Sequence, residues 1–116
     1  MMGLMMRRGD IYFAALDPTR GSEVQKTRPV IIVSNDVANR ASSLVTVVPM
    51  TSNTTRVFPF EVALNANETS LRKDGKAMAQ QVRTIDKARL GSLRQGMVSF
   101  EKMTALDAAL RLHLAL

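Results

Sequence analysis

The sequence predicts an α+β domain in which a small barrel-like sheet is backed by one C-terminal helix. Two patterns carry that prediction. Between Arg7 and Leu90, five short β-rich runs are separated by turn signals, whereas from Ser99 onward apolar residues recur at spacings of three and four. Length adds a bound, because 116 residues can enclose one hydrophobic core but not two.

The first strand is centred on Ile11 to Phe13 within "RRGDIYFAALD" and ends at the turn-favouring pair Asp17-Pro18. The eleven residues that follow, "PTRGSEVQKTR", are polar, aperiodic and longer than a usual hairpin connection, the character of a functional loop. "PVIIVSN" reads as a strand buried on both faces; Pro29 needs to donate no ladder hydrogen bond at its start and pushes Arg28 toward extended geometry. "NDVANRASS" turns the chain, with room for a short helical turn. In the third strand, "LVTVVPMT" from Leu44 to Thr51, Pro49 implies an edge or a bulge. Phe58, Phe60, Val62 and Leu64 then alternate with Pro59, Glu61 and Ala63, which predicts a half-buried strand with one wet face. "RKDGK" is a turn with Asp74-Gly75 suited to positive φ, "AMAQQVR" a further strand, and "TIDKARL" a turn or short helix. The closing helix is the clearest element: Ser99 suits an N-cap, and Phe100, Met103, Leu106, Leu110 and Leu114 share one helical face. Residues 1–6, with four methionines, read as a flexible tail, and residues 7–116 as a single domain.

Composition narrows the function classes. With 46% apolar and 22% charged residues the chain is globular in character and not disordered. The absence of cysteine excludes disulfides, thiolate nucleophiles and Cys-based zinc or iron–sulfur sites, and is compatible with a reducing compartment. A single histidine cannot build a His-rich metal site, so neither metal nor cofactor is expected. The longest apolar run, "LVTVVPM", is far short of the roughly 20 residues a membrane span needs, and no signal-peptide pattern is present, so the expectation is a cytoplasmic protein without membrane contact. Sixteen Lys and Arg against ten Asp and Glu give a formal charge of +6, which favours a polyanionic partner. These cations are spread along the chain, so any basic patch has to be assembled by folding.

"RRGDIYFAALDPTRGSEVQKTRPVIIVSND", followed in order by "PMT" and "QQVRTIDKARL", resembles the MazF/PemK family of toxin endoribonucleases, with similarity over nearly the whole chain, from about Arg7 to Leu114. The resemblance implies the small SH3-like β-barrel with a C-terminal helix that this group shares with the gyrase-poisoning CcdB toxins. It also implies a homodimer that cuts single-stranded RNA at short sequence motifs without a metal, neutralised by a cognate antitoxin whose acidic segment competes with RNA. Residue by residue, Arg28 and Thr51 match the pair assigned to catalysis, Gly21, Ser22 and Glu23 match the loop beside the scissile phosphate, and Gln81 and "RTIDK" match the strand and turn near the RNA groove.

The chemistry of the residues supports this reading on its own terms. Metal-free RNA cleavage uses the substrate's 2′-hydroxyl as nucleophile, so the protein supplies a base, a cation for the phosphorane and an acid for the leaving 5′-oxygen. Arg28, always protonated and planar, suits the cation; the structural alternative is an ion pair with Asp36 or Glu23. Thr51 suits a hydrogen bond to a phosphate oxygen or to the 2′-hydroxyl but is a poor base. Glu23 is the better general base on chemistry, against the alternative of a solvated loop charge. His113, near the last helical turn, reads as a packed or helix-end residue. For RNA binding the available cations are Arg40, Arg56, Arg72, Lys73, Lys76, Arg83, Lys87 and Arg89. Asn39, Ser22, Gln80 and Gln81 are suited to hydrogen bonds with splayed bases, while four Phe and one Tyr are too few for extensive stacking. The rival reading is a non-enzymatic protein on the same barrel, a gyrase binder or an RNA-binding regulator; the Arg28 and Thr51 pair and the absence of tryptophan argue against it.

Overall fold

The computed structural model describes residues 6–16 and 27–116. Its strands are β1 (Asp10–Ala15), β2 (Thr27–Ile32), β3 (Leu44–Thr51), β4 (Glu61–Leu64), β5 (Gly75–Met78), β6 (Arg83–Asp86) and β7 (Gly96–Met97). Helices α1 (Asp36–Ala41), α2 (Ala66–Thr69) and α3 (Phe100–Leu114) complete the fold, with single 3₁₀ turns at Ala79–Gln81 and Lys87–Arg89. All strand pairs are antiparallel, in the order β4-β5-β3-β2-β1-β7, with β6 added to β3.

The sheet curls because one segment joins two of its strands. β6 pairs with the first half of β3, and the chain then runs on to Leu90, which bridges Ala14 of β1. The amides of Gly91 and Gln95 donate to the carbonyls of Phe13 and Ile11, so the free edge of β1 is covered as well. Inside the curl lie Tyr12, Ala14, Leu16, Val30, Ile32, Val45, Val47 and Ile85; on the other face Ile11, Ile31, Val48, Met50 and Ala77 pack against Met103, Leu106 and Ala109 of α3. Burial on both faces is why β2 reads as an unbroken apolar run.

Several sequence expectations are corrected. β3 is not an edge strand: it pairs with β2 on one side and with β6 and β5 in turn on the other. Pro49 lies between the last β6 pair, at Val47, and the first β5 pair, at Met50, so its missing N–H falls where the strand changes partners. β4 starts only at Glu61; Phe58 and Phe60 precede it, and Glu61 is buried where a wet face was expected. The run "AMAQQVR" is split by the 3₁₀ turn at Ala79–Gln81, and Thr84 to Asp86 are strand where a turn was expected. The helix at Ala66–Thr69 and the two-residue β7 have no counterpart in the sequence reading.

The C-terminal helix forms as expected, with the Ser99 hydroxyl accepting the Lys102 amide at 3.2 Å. Its buried stripe is Met103, Leu106 and Ala109, whereas Phe100 is 88% exposed and Leu114 also faces outward. His113 sits on the exposed last turn. A charge-assisted bond from Arg8 to Asp107 ties α3 to the start of β1, and Asp36 accepts the Arg8 amide at 2.7 Å. That backbone bond is the main reason the Asp36 carboxyl lies below its ordinary value, helped by the Asn39 amide and offset in part by desolvation.

Among the described glycines Gly96 has the closest backbone neighbour: a Cβ there would lie 1.9 Å from the carbonyl oxygen of Thr69. Gly96→Ala should therefore lower the unfolding free energy by about 2 kcal/mol or more, read from urea denaturation midpoints at an unchanged m-value.

Candidate functional site

The register of β2 against β3 builds the site. Ile32 pairs with Val47, Ile31 with Val48 and Val30 with Pro49. Continued without slip to the ends of both strands, this register sets Arg28 opposite Thr51. Directly opposed residues share a face of the sheet, so the two side chains project together. Arg28 is also the partner of Ala14 on β1, and Thr51 the partner of Lys76 on β5. A single row across the sheet thus runs Ala14, Arg28, Thr51, Lys76, and its members differ sharply in exposure: the outer two, Ala14 and Lys76, are buried, whereas Arg28 is exposed.

Arg28 and Thr51 open onto a cleft of about 960 Å³. One wall is made by Phe13, Thr27, Arg28 and Pro29, the floor by Met50, Thr51 and Ser52, and the opposite wall by Ser70 to Gly75 and Gln95. Among the described residues the lining holds three cations, Arg28, Arg72 and Lys73, and one carboxylate, Asp74, whose Oδ1 already accepts the Ala66 amide at 2.7 Å. Among the described residues no carboxylate pairs with Arg28; Asp36, the alternative partner read from the sequence, is bound to Arg8 and Asn39 instead. Such a cleft attracts a polyanion and offers it a planar guanidinium fork.

Two backbone features shape the walls. Gly75 lies so close to β3 that a Cβ would sit 2.8 Å from the Thr51 carbonyl oxygen, so only glycine lets β5 meet β3 at this point without displacing Thr51. Ser70 caps α2 with a left-handed backbone at φ 72°, which turns the chain into the Leu71 to Asp74 wall.

The Thr51 hydroxyl has a defined polarity. Its Oγ1 accepts the amide of Asn53 at 3.2 Å, and the Asn53 side chain in turn accepts the Thr55 amide at 3.1 Å. With a lone pair engaged by the protein, the hydroxyl proton is free to be donated into the cleft.

Behind Thr51 lies a buried network. Lys76 Nζ donates to Glu61 Oε1 at 2.8 Å and to the Arg56 carbonyl at 2.6 Å. Glu61 also accepts the Phe58 amide at 3.0 Å and Gln80 Nε2 at 2.7 Å. Arg56 stacks its guanidinium 4.5 Å from the centre of the Phe58 ring, which stacks on Phe60 at 5.3 Å. Burial pushes the Glu61 carboxyl up, but the hydrogen bonds from Lys76, Phe58 and Gln80 and the Lys76 charge outweigh it and hold the group below its ordinary value.

The structure brings only part of the sequence-predicted set together. Arg28 and Thr51 share the cleft; Gly21, Ser22 and Glu23 lie outside the described residues. Gln81 is exposed on the 3₁₀ turn, outside the cleft lining, with its amide near the Met78 sulfur. Asn39 is buried and its side chain is spent on Ser34 and Asp36, which corrects its expected role as a base contact. Arg40 is exposed on α1, and Lys87 donates to the Asn39 carbonyl, both outside the cleft lining. Arg83 and Arg89 both reach the Leu16 carbonyl at 3.4 Å and so hold the end of β1. Lys76 is removed from the pool of RNA contacts by Glu61. From that pool the cleft selects Arg72 and Lys73, and it adds Phe13, Ser52, Ser70 and Gln95, for which the sequence offered no signal.

The depressed Glu61 carboxyl makes a stability prediction. A carboxyl lowered in the folded state stabilises above its unfolded value of about 4.3 and loses that contribution as pH falls through the folded value. Glu61→Gln should be less stable than wild type by about 3 kcal/mol at neutral pH, because Lys76 is left buried without its counter-charge. That gap should stay constant above about pH 5 and narrow on further acidification, as followed by urea unfolding at a series of pH values.

Comparison with known proteins places the chain. The sequence pattern of the PemK-like, MazF-like toxins of type II toxin–antitoxin systems matches residues 7–114. Endoribonuclease MazF9 of Mycobacterium tuberculosis is 49% identical over 118 residues, covering 97% of this chain and 98% of that protein. Among solved structures, an endoribonuclease from mycobacterial species superposes with a TM-score of 0.80 at 27% identity, covering 100% of this chain and 97% of the other. A second mycobacterial endoribonuclease, solved in complex with its cognate antitoxin, gives 0.77 at 30% identity, with 96% of each chain covered.

Proposed function

The chain belongs to the PemK-like, MazF-like toxins of type II toxin–antitoxin systems, and on that premise we propose that it is an endoribonuclease that cuts single-stranded RNA at short sequence motifs. The observation that carries the chemistry is the pairing of Arg28 with Thr51 on a cationic cleft in which no described carboxylate neutralises the arginine.

In the proposed reaction the substrate's 2′-hydroxyl attacks the adjacent phosphorus while the bond from phosphorus to the 5′-oxygen breaks. The 2′-hydroxyl proton passes to a base and a proton is delivered to the leaving 5′-oxygen, leaving a 2′,3′-cyclic phosphate and a 5′-hydroxyl. Arg28 binds two oxygens of the phosphorane, where its planar fork fits best and its charge is worth most. Thr51, with its lone pair held by Asn53, donates its hydroxyl proton to a phosphate oxygen and does not serve as the base. Glu23 is the proposed base. Arg72 and Lys73 hold flanking phosphates on the opposite wall, and Phe13 offers the one aromatic surface in the cleft lining. No metal takes part in this scheme.

The partner is a cognate antitoxin whose acidic segment occupies the same cationic cleft, in line with the mycobacterial relative solved with its antitoxin. Self-association as a homodimer is supported by the apolar side chains left outward on the monomer, Phe100, Leu112 and Leu116 among them. A cytoplasmic location is consistent with this role; among the described residues no helix is long and apolar enough to cross a membrane.

With EDTA present throughout, the wild-type protein should convert a long single-stranded RNA into discrete fragments with 5′-hydroxyl ends, and Arg28→Ala should leave the RNA intact on the same gel. Intact RNA in both lanes would overturn the enzyme reading and favour a binding protein on the same barrel. In the same assay Glu23→Gln should slow cleavage by roughly 10²-fold or more; a near-normal rate removes Glu23 as the base.

A further inference from the structure

We propose that the buried Glu61 and Lys76 pair acts as a positioning device for Thr51, holding the chain between β3 and β4 in the shape that turns the Thr51 hydroxyl proton into the cleft. The inference rests on the endoribonuclease reading above and assigns to it two residues that do not touch RNA.

A continuous set of contacts carries it. The segment from Ser52 to Phe60 leaves β3 directly at Thr51, and its amide at Asn53 fixes the Thr51 hydroxyl at 3.2 Å. The Asn53 side chain then holds the Thr55 amide, so the turn is closed locally. One residue further, the Arg56 carbonyl is gripped by Lys76 Nζ at 2.6 Å, and two residues beyond that the Phe58 amide is gripped by Glu61 at 3.0 Å. The far end of the segment is tied to the core by the buried Ala79 amide, which donates to the Phe60 carbonyl at 3.3 Å. Nearer to Thr51 the chain is on the surface, with Ser52 to Val57 exposed, and from Ser52 to Phe58 Glu61 and Lys76 are the only buried side chains among the described residues that hold it by hydrogen bonds.

The location of the pair points the same way. Lys76 is the cross-strand neighbour of Thr51 and shares its face of the sheet, where an unrestrained ammonium would compete with Arg28 for an anion bound in the cleft. Glu61, itself a cross-strand neighbour of Met78, draws that ammonium backward and directs it at the Arg56 carbonyl. Stability alone is a weak reason to keep such a pair, because well-packed neutral residues commonly replace buried ion pairs without loss. Geometry is a stronger one. A displacement of about 1 Å in a group that contacts the reacting phosphate can cost up to about 10²-fold in rate, and Thr51 is the last residue of β3, from which the exposed segment departs.

The test uses the full chain with both charges removed together, Glu61→Gln with Lys76→Met, so that no lone charge is left in the core. On an RNA oligonucleotide spanning a site that wild type cuts, this variant should lose about tenfold in kcat with KM changed by less than about twofold. In a Thr51→Val background the same double change should cost less than about twofold further, because the group being positioned is already gone. Hydrogen exchange at the Asn53 amide should be about tenfold faster in the double variant while core amides keep their protection. A wild-type kcat, an equal loss in both backgrounds, or an Asn53 amide that exchanges as in wild type would each overturn the inference. Failure of wild type to cut any RNA would instead overturn the functional reading and the catalytic half of this one, with exchange at Asn53 still deciding whether the pair holds the segment.

Discussion

Strand register is the constraint on which the rest of this structure depends. β2 and β3 are buried on both faces, so a slip of one residue would drive an entire set of apolar side chains into the wrong core and is strongly opposed. Because the same two strands carry Arg28 and Thr51 at their ends, the energy that fixes the register also fixes the juxtaposition of the two polar residues. The site is placed by the core and not by its own contacts. Val30, Ile31 and Ile32 are each fully buried, and they hold the alignment two to four residues away from the chemistry.

The curl of the sheet supplies the second condition. A flat sheet would leave Arg28 on an open surface, where a phosphate is contacted from one side only. Here β6 and Leu90 close the sheet around Tyr12, Val30 and Val45, and the far strands carry the Ser70 to Gly75 wall across from β2. Gly75 is the point where this depends on a single missing atom, since any Cβ would press on the Thr51 carbonyl. The row Ala14, Arg28, Thr51, Lys76 shows how one pattern of pairing yields different fates. Lys76 is neutralised by Glu61, whereas Arg28 has no carboxylate partner among the described residues.

How much of this was legible in the sequence follows from the range of the signals. Ser99 and the spacing of Met103 and Leu106 are local, and the helix they predict is the helix observed. The apolar run after Arg28 and the strand ending at Thr51 were likewise readable, and with the family resemblance they named the two residues that the register brings together. What failed was whatever depended on distant partners. Glu61 alternates in the sequence like a wet-face residue, and only Lys76 and Gln80 explain why it is buried. Asn39 is polar in a turn and reads as a surface contact, yet its amide closes α1 onto Ser34. Pro49 signals an interrupted ladder correctly, but a single sequence cannot distinguish the edge of a sheet from a strand that changes partners midway. Ser70, a residue with a Cβ in the left-handed region, gives no warning that it turns a wall of the cleft.

The charge balance of the cleft connects fold to partner. Among the described residues the cleft lining holds Arg28, Arg72 and Lys73 with one carboxylate that already accepts an amide, a balance that favours an anionic occupant. Anything that binds this face of the folded state and not the unfolded chain stabilises it by mass action. On the proposed function, an RNA strand and an acidic peptide would compete for the same cations, which would make their occupation mutually exclusive without any change of shape. They differ in what else they demand. RNA presents a phosphorus beside a 2′-hydroxyl and so uses the pairing of Arg28 with Thr51, whereas a carboxylate-bearing segment uses only the charge. On the proposed function, the pairing would serve chemistry and the cations occupancy, so inhibition would require competition for the cations alone.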